Sequence, residues 1–378
     1  MSIFSGFKKS SLHLILNISN FSIDAVLVEF DEKHGDKVIE IEKSRQLIPE
    51  GHSAPHEMFN YSVSRALIKI LEDFQKEAAR KKEKIKSCLV VFSAPWYDAQ
   101  THIIRIKKGE QFTFSKNIFQ DALKQKTLKN GDSLKFIENV IMKVLLNGYE
   151  IKNPFGKKAK TAELFIYTGA ITKQTHAKVI NLIKEFLNLE DHQISLRTFP
   201  IVALQTLRDF FDFGPCSLLI DFGPEITELI LIKDRHIEEI SSFNKGSGAI
   251  ARRIASAMKI DIKEAEYALK RRRSGALEDS LAKKINAVID KAQSEWNKDF
   301  NNALNSVEKD HNLPQNVFLL SQNPIFDISP PKFKKVVKLS HEALSHNFSL
   351  AKDGINFNNY NIHLLLEMLY LKNKAGNR

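Results

Sequence analysis

The feature that most constrains this chain is an order of segments that occurs twice. Residues 12–19 (LHLILNIS), 23–30 (IDAVLVEF) and 37–44 (KVIEIEKS) alternate apolar and polar side chains, the period of half-buried strands. A helical pattern follows over 60–82, with Val63, Ala66, Leu67, Ile70, Leu71 and Phe74 on one face. The second half repeats that order. After a helix from about Pro200 to Phe211, strands over 217–223 (SLLIDFG), 228–234 (ELILIKD) and 236–243 (HIEEISSF) lead into charged helices over 249–309, with Gly275 as a break. Two strand-strand-strand-helix units in tandem are a topological repeat even though their residues barely match. The 378 residues suit two domains of comparable size.

Between the halves lies a stretch of another character. A strand over 87–95 (SCLVVFSAP) reads as buried on both faces. Then come a strand over 101–108, a helix over 116–126 and a long alternating segment over 134–151, closed by the turn-rich NGYEIKNPFGKK. This is a small inserted α/β module. A strand over 162–171, a helix over 173–187 and a strand over 192–199 return to the first domain. The chain ends with a strand over 316–321 (NVFLLS), a loop, and an amphipathic helix over 361–374 bearing Ile362, Leu365, Leu366, Leu369 and Tyr370 near one side.

Composition excludes more than it selects. Hydrophobic residues at 43% and charged residues at 27% are ordinary for a folded globular chain. Cys88 and Cys216 are the only cysteines, and no spacing suits a metal site; His52 and His56 form the one close histidine pair, read as loop surface. A reducing, cytoplasmic setting is expected. The N-terminal segment alternates where a signal peptide would be uniformly apolar, so it reads as a first strand, and no apolar run reaches the roughly 18 residues of a membrane span. The net charge of +11 permits nucleic acid, anionic lipid or an acidic partner. Glu77 and Glu83 break the basic run over 76–86 at helical spacing, as on a solvated helix; the KRRR run over 270–273 is denser, but no aromatic-interleaved basic surface supports nucleic-acid binding. No Walker A loop, G-x-S-x-G elbow, H-E-x-x-H or post-strand G-x-G-x-x-G occurs, so no catalytic residue is assigned.

Two hairpins, one opening each half, carry the remaining signal. Gripping a triphosphate between hairpins needs glycine or small hydroxyl residues at the tips and a carboxylate to place hydrated magnesium. Residues 17–24 (NISNFSID) and 221–228 (DFGPEITE) are the two hairpins, and the strand NVFLLS leads through Ser321 to Gln322 and Asn323, a position where the actin-like pattern that these features resemble carries an adenine-side Gly-Gly. FPIVALQTLRDF from Phe199 and KGSGAIARRIASAM from Lys245 look like the two connecting helices, the second led by Gly246.

In these features the chain resembles the actin-like ATPase superfamily. The NGYEIKNPFGKKAKTAELFIYTG run resembles the segment that rejoins the inserted subdomain of bacterial FtsA. The resemblance implies an α/β, actin-like (ribonuclease H-like) fold with two mixed five-stranded sheets and a small SHS2-type insertion. Its divisions are 1–86 and 161–198 for the first actin-like subdomain, 87–160 for the insertion, and 199–378 for the second domain, including a helical subdomain over about 249–310. It also implies a nucleotide site at Asn17, Ser19, Asn20, Asp221, Gly223, Thr227, Gly246, Glu266, Lys270, Ser321, Gln322 and Asn323, with Asp221 placing magnesium.

The departures from the family pattern bear on mechanism. Asn17 stands for aspartate, Ser19 for glycine and Asp24 for lysine; Pro224 and Glu225 replace glycines; Gln322 and Asn323 add side chains on the adenine side. Glu266 and Lys270, in AEYALK, sit one residue further apart than in the family's A-E-x-x-K. A structural turn is the favoured reading of Asn17 and Ser19 over phosphate contact, and Asp221 reads equally as a turn-capping carboxylate at a strand end or as the group that places magnesium. The expectation is therefore an FtsA-like adaptor with weak or no ATP hydrolysis, bound to a tubulin-like division protein, able to self-associate into filaments and to touch the cytoplasmic membrane peripherally. The alternatives are PilM, the actin-like component of type IV pilus assembly, with a pilus inner-membrane partner, and an active ATPase or sugar kinase binding Mg-ATP.

Overall fold

The computed structural model describes residues 11–31, 37–47, 59–127, 133–208, 211–308, 314, 316–321, 330, 333, 336–341, 344 and 361–376. They fall into two units, one formed by residues up to Leu207 together with Leu364–Arg378, the other by Arg208–Phe348 with Phe357–His363.

The first unit is built on β1 (Ser11–Ile18), β2 (Ser22–Asp31) and β3 (Lys37–Leu47), an antiparallel meander, followed by α1 (Ser64–Lys81) and β4 (Ile85–Phe92), which runs parallel to β1. β1 was expected to be half-buried, but Leu12, Leu14, Ile15, Leu16 and Ile18 are all fully buried. Its apolar residues occupy both parities, as a central strand covered on both faces requires. The face of α1 read from the periodicity is the buried one: Ala66, Leu67, Ile70, Leu71 and Phe74 pack on this sheet.

Between β4 and the last strand of the sheet stands the inserted module: β5 (Asp98–Thr113), α2 (Lys116–Thr127), β6 (Leu134–Leu146), β7 (Tyr149–Glu150) and β8 (Lys158–Thr172). Its strands pair antiparallel in the order β5-β8-β6-β7, and Phe114, Val144, Leu164 and Ile166 give it a core of its own. The bounds read from sequence, 87–160, differ from those of this sheet. Cys88 lies in β4 of the five-stranded sheet, because an apolar run buried on both faces belongs at a sheet centre, and β8 continues to Thr172. The chain then forms α3 (Lys173–Leu187), β9 (Ile194–Thr198) and α4 (Phe199–Leu207), completing the order β3-β2-β1-β4-β9. A buried polar clasp ties module to sheet. The Glu138 carboxylate of β6 accepts from Thr198 N at 3.0 Å and Thr198 Oγ1 at 2.5 Å, and the Tyr167 hydroxyl of β8 meets Thr198 Oγ1 at 2.6 Å. Burial pushes the Glu138 carboxyl up to about 7, against the opposing pull of Thr198 and Arg197.

The second unit repeats the plan with β10 (Cys216–Phe222), β11 (Thr227–Lys233), β12 (His236–Phe243), the helices α5 (Ser247–Met258), α6 (Ile262–Arg273) and α7 (Asp279–Glu308), then β13 (Asn316–Ser321) and β14 (Val336–Lys338). The order β12-β11-β10-β13-β14 matches the first sheet position for position, with β10 antiparallel to β11 and parallel to β13. The tandem repeat read from sequence is thus present as two equivalent sheets. The last helix, α8 (Ile362–Gly376), is not amphipathic: every residue from Ile362 to Tyr370 is buried, His363 and Glu367 included. The apolar side read from the sequence is interior. Residues of α8 from Leu364 onward, and α4, belong with the first unit instead of with 199–378.

Candidate functional site

The tip of the first unit is the β1–β2 turn. Asn17 pairs with Asp24 across the hairpin, and Ser19 closes it. Ser19 N donates to Ser22 O at 3.0 Å, Ser19 Oγ donates to the same oxygen at 2.8 Å, and Ser19 Oγ accepts from Phe21 N and Ser22 N at 3.2 and 2.9 Å. One serine side chain thereby occupies the backbone donors that would otherwise point at an anion. Asn20 sits half-buried at the apex. Asp24 accepts from Ser22 Oγ at 2.7 Å and lies 3.3 Å from Arg45, so its charge is compensated locally.

Asn17 itself faces a carboxyl. Its Nδ2 reaches Glu367 Oε1 of α8 at 2.5 Å and Ser93 Oγ at 3.3 Å. Burial raises the Glu367 carboxyl to about 8, offset in part by the Asn17 bond and reinforced by the charge of Asp24. The group is therefore mostly neutral at physiological pH. An aspartate at position 17 would place a buried negative charge against Glu367 and near that of Asp24.

The second unit's tip is the β10–β11 turn, packed on the start of α5. Gly223 N donates to Ile226 O at 3.0 Å, and the first free N–H groups of α5 are taken by the hairpin's own carbonyls, Ser247 N by Gly223 O at 3.0 Å and Gly248 N by Pro224 O at 2.7 Å. A helix N-terminus is an anion site only while those donors are open. Glu225 forms a two-pronged pair with Arg252 of α5 at 2.6 and 2.5 Å. Thr227 Oγ1 donates to Lys245 O at 2.6 Å and accepts from Trp296 Nε1 at 3.0 Å. Asp221 Oδ1 lies 2.8 Å from Nε2 of His363, whose side chain is fully buried. The glycines are steric: a Cβ on Gly246 would fall 2.2 Å from Gly223 O, and one on Gly223 would fall 2.9 Å from Ile226 O.

Of the other positions read from sequence, Ser321 ends β13 beside Phe222. Glu266 and Lys270 stand one turn apart on α6, and among the described residues neither side chain joins the bonded cluster at the hairpin. Gln322 and Asn323 lie outside the described residues.

No protein-family profile and no curated protein sequence matches the chain. Among solved structures it is similar to a chain of the PilM–PilN type IV pilus biogenesis complex, at TM-score 0.57 and 12% identity, over 97% of this chain and 98% of that one. A weaker likeness joins it to the ethanolamine utilization protein EutJ from Carboxydothermus hydrogenoformans, at TM-score 0.41 and 12% identity over 83% of this chain and 76% of that one. Another is a Bacteroides thetaiotaomicron protein with actin-like ATPase fold and unknown function, at TM-score 0.33 and 9% identity over 69% and 81%. With two equivalent sheets of matching order already in hand, the first of these likenesses is decisive for the fold.

The chain has an actin-like fold.

Within that fold, the two hairpin tips are the places to read chemistry, and most of their polar groups are bonded to the chain itself, while Asn17 Oδ1 and Glu367 Oε2 are buried without a partner. The partners responsible, Glu367 and Ser93 at the first tip and His363, Arg252 and Trp296 at the second, were not assigned from sequence. For two of them a signal was available: IHLLLEMLY places a histidine and a glutamate one turn apart in an otherwise apolar helix, where each needs a buried polar partner.

Proposed function

We propose that the chain is a non-enzymatic actin-fold adaptor of the PilM type, acting at the cytoplasmic face of a membrane and engaging a protein of the type IV pilus inner-membrane assembly. The observation that carries this reading is the end-to-end likeness to the PilM–PilN complex, 97% of this chain against 98% of that one. Among the described residues no helix is long and apolar enough to cross a membrane. The FtsA-like division adaptor is the second reading, favoured by the NGYEIKNPFGKK turn, in which Asn147, Gly148 and Gly156 all take positive φ.

In this proposal ATP is not turned over. Supporting it are the occupied donors at both tips: Ser19 closing the first, and Gly223 O and Pro224 O capping α5 at the second. Asp221, the residue the resemblance assigns to magnesium, is held by His363. The test has two arms. Affinity capture of the tagged chain from its own cells is expected to enrich a pilus inner-membrane protein; enrichment of a tubulin-like division protein would move the assignment to the second reading. Calorimetric titration with Mg-ATP is expected to show no binding, and a micromolar affinity would overturn the non-enzymatic reading.

A further inference from the structure

Exposed large apolar side chains are few among the described residues, and two of them, Tyr149 at 75% and Phe155 at 43% exposure, lie at one end of the inserted module. The backbone between them is fixed. The β6–β7 turn is made by Asn147 and Gly148 at φ 52° and 84°, the left-handed pair that a tight hairpin turn needs. Asn147 Oδ1 then accepts from Lys160 N and Thr161 N at 2.8 and 3.2 Å, tying the turn to the start of β8. On the other side Gly156 N donates to Phe114 O and Phe114 N to Lys157 O, both at 2.8 Å, and the Phe155 ring stacks on Phe114 at 5.6 Å. One bonded surface therefore presents Tyr149, Phe155 and the exposed lysines Lys152, Lys157, Lys158 and Lys160.

The segment 151–160 contains these four lysines and no acidic residue. The nearest carboxylate in sequence, Glu150, is 3.9 Å from Lys143. We propose that this end of the module docks on anionic lipid headgroups, with Tyr149 and Phe155 entering the interface and the lysines facing the phosphates. The choice of lipid over an acidic protein rests on residue type. Every cation in the segment is lysine, a flexible point charge that suits mobile headgroups, whereas protein interfaces favour the forked arginine and are depleted in lysine. Tyrosine and phenylalanine beside such charges fit the boundary between headgroup and acyl chain. The net charge of +11 draws the chain toward an anionic surface. The inference stands apart from the pilus reading, since it requires only lipid contact and no particular partner.

The test is flotation of the purified full chain with phosphatidylglycerol-containing vesicles and with pure phosphatidylcholine vesicles, at low and raised salt. Co-flotation with the anionic vesicles alone is expected, reduced by salt. The fourfold change of Lys152, Lys157, Lys158 and Lys160 to Gln is expected to weaken it by about tenfold or more. Tyr149→Ser, at a position the fold leaves in solvent, is expected to weaken it severalfold with unchanged thermal unfolding, and this variant keeps the test decisive should the charge variant fold poorly. The proposal is overturned by an absence of flotation, by equal binding to neutral vesicles, or by variants that float like the parent. Loss of an acidic protein partner from the Gln variant while flotation persists would assign the surface to protein instead.

Discussion

The neutral, buried carboxyl of Glu367 makes a quantitative prediction for Glu367→Gln. Burial, reinforced by Asp24, pushes this carboxyl from an ordinary 4.5 to about 8, the Asn17 bond opposing it. A raised acid holds its proton in the folded state after the unfolded chain has released it. Its stabilising contribution is therefore complete below pH 4.5 and is lost as pH rises through about 8. Each pH unit within that window is worth about 1.4 kcal/mol, so the full loss is on the order of 5 kcal/mol. Glutamine keeps a partner for Asn17 and has no proton to lose. The stability of the variant relative to the parent is expected to climb by about 1.4 kcal/mol per unit between about pH 5 and pH 7.5 and to level off beyond pH 8. Urea unfolding across that range, followed through Trp96 in the core of the first unit, measures the difference. Parallel curves for the two proteins would refute the claim that a neutral acid sits against Asn17.

Asn17→Asp, placing a carboxylate 2.5 Å from Glu367 Oε1, is expected to lower the unfolding free energy by about 2 kcal/mol or more at neutral pH and by less in acid. His363→Ala leaves the nearly buried Asp221 without its imidazole, and a loss of about 3 kcal/mol by denaturant unfolding is expected. Gly246→Ala drives a methyl group against Gly223 O and Pro224, and a loss of about 1–3 kcal/mol is expected, read as a lower melting temperature. Glu138, pushed up by burial to about 7, loses its contribution between pH 4.5 and about 7, so Glu138→Gln should slow amide exchange in β6 and β8 relative to the parent above neutrality and match it in acid.

Much of the fold was legible in the sequence because its signals are local. The apolar-polar runs marked where β1 and β2 lie, the one-sided apolar face marked α1, and the recurrence of strand-strand-strand-helix marked the two sheets. What the pattern could not supply was burial on the far side of an element. In β1, β2 and α8 buried residues fall on both faces, and whether such a segment is central or amphipathic depends on what covers it. The module's edges slipped for a related reason: the apolar run of β4 belongs to the first sheet and that of β8, through Thr172, to the module's sheet, and the runs themselves do not say which sheet they join. At the hairpins the departures from the family pattern were plain to see, but their partners lie far along the chain, Asn17 from Glu367 and Asp221 from His363. Those pairings depend on folding, and no spacing rule encodes them.

Several of these residues have partners within the fold. Asn17 in place of aspartate goes with a carboxyl delivered by α8; Glu225 in place of glycine goes with Arg252; Pro224, lacking an N–H, contributes its carbonyl to the N–H of Gly248. A tip that had only lost its ligand would carry buried donors and charges without partners, each costing roughly 1–3 kcal/mol. At the second tip Glu225, Thr227 and the Pro224 carbonyl all have partners, whereas at the first tip Asn17 Oδ1 and Glu367 Oε2 are buried without one. A phosphate entering the second tip would have to displace the two carbonyls capping α5 and sit beside the Glu225 carboxylate, losing bonds already made and adding like charge. On the proposed non-enzymatic reading, then, added Mg-ATP has no net interaction to offer the folded state and leaves the melting temperature where it was. A ligand that binds only the native state must raise it in proportion to the logarithm of its concentration over its dissociation constant.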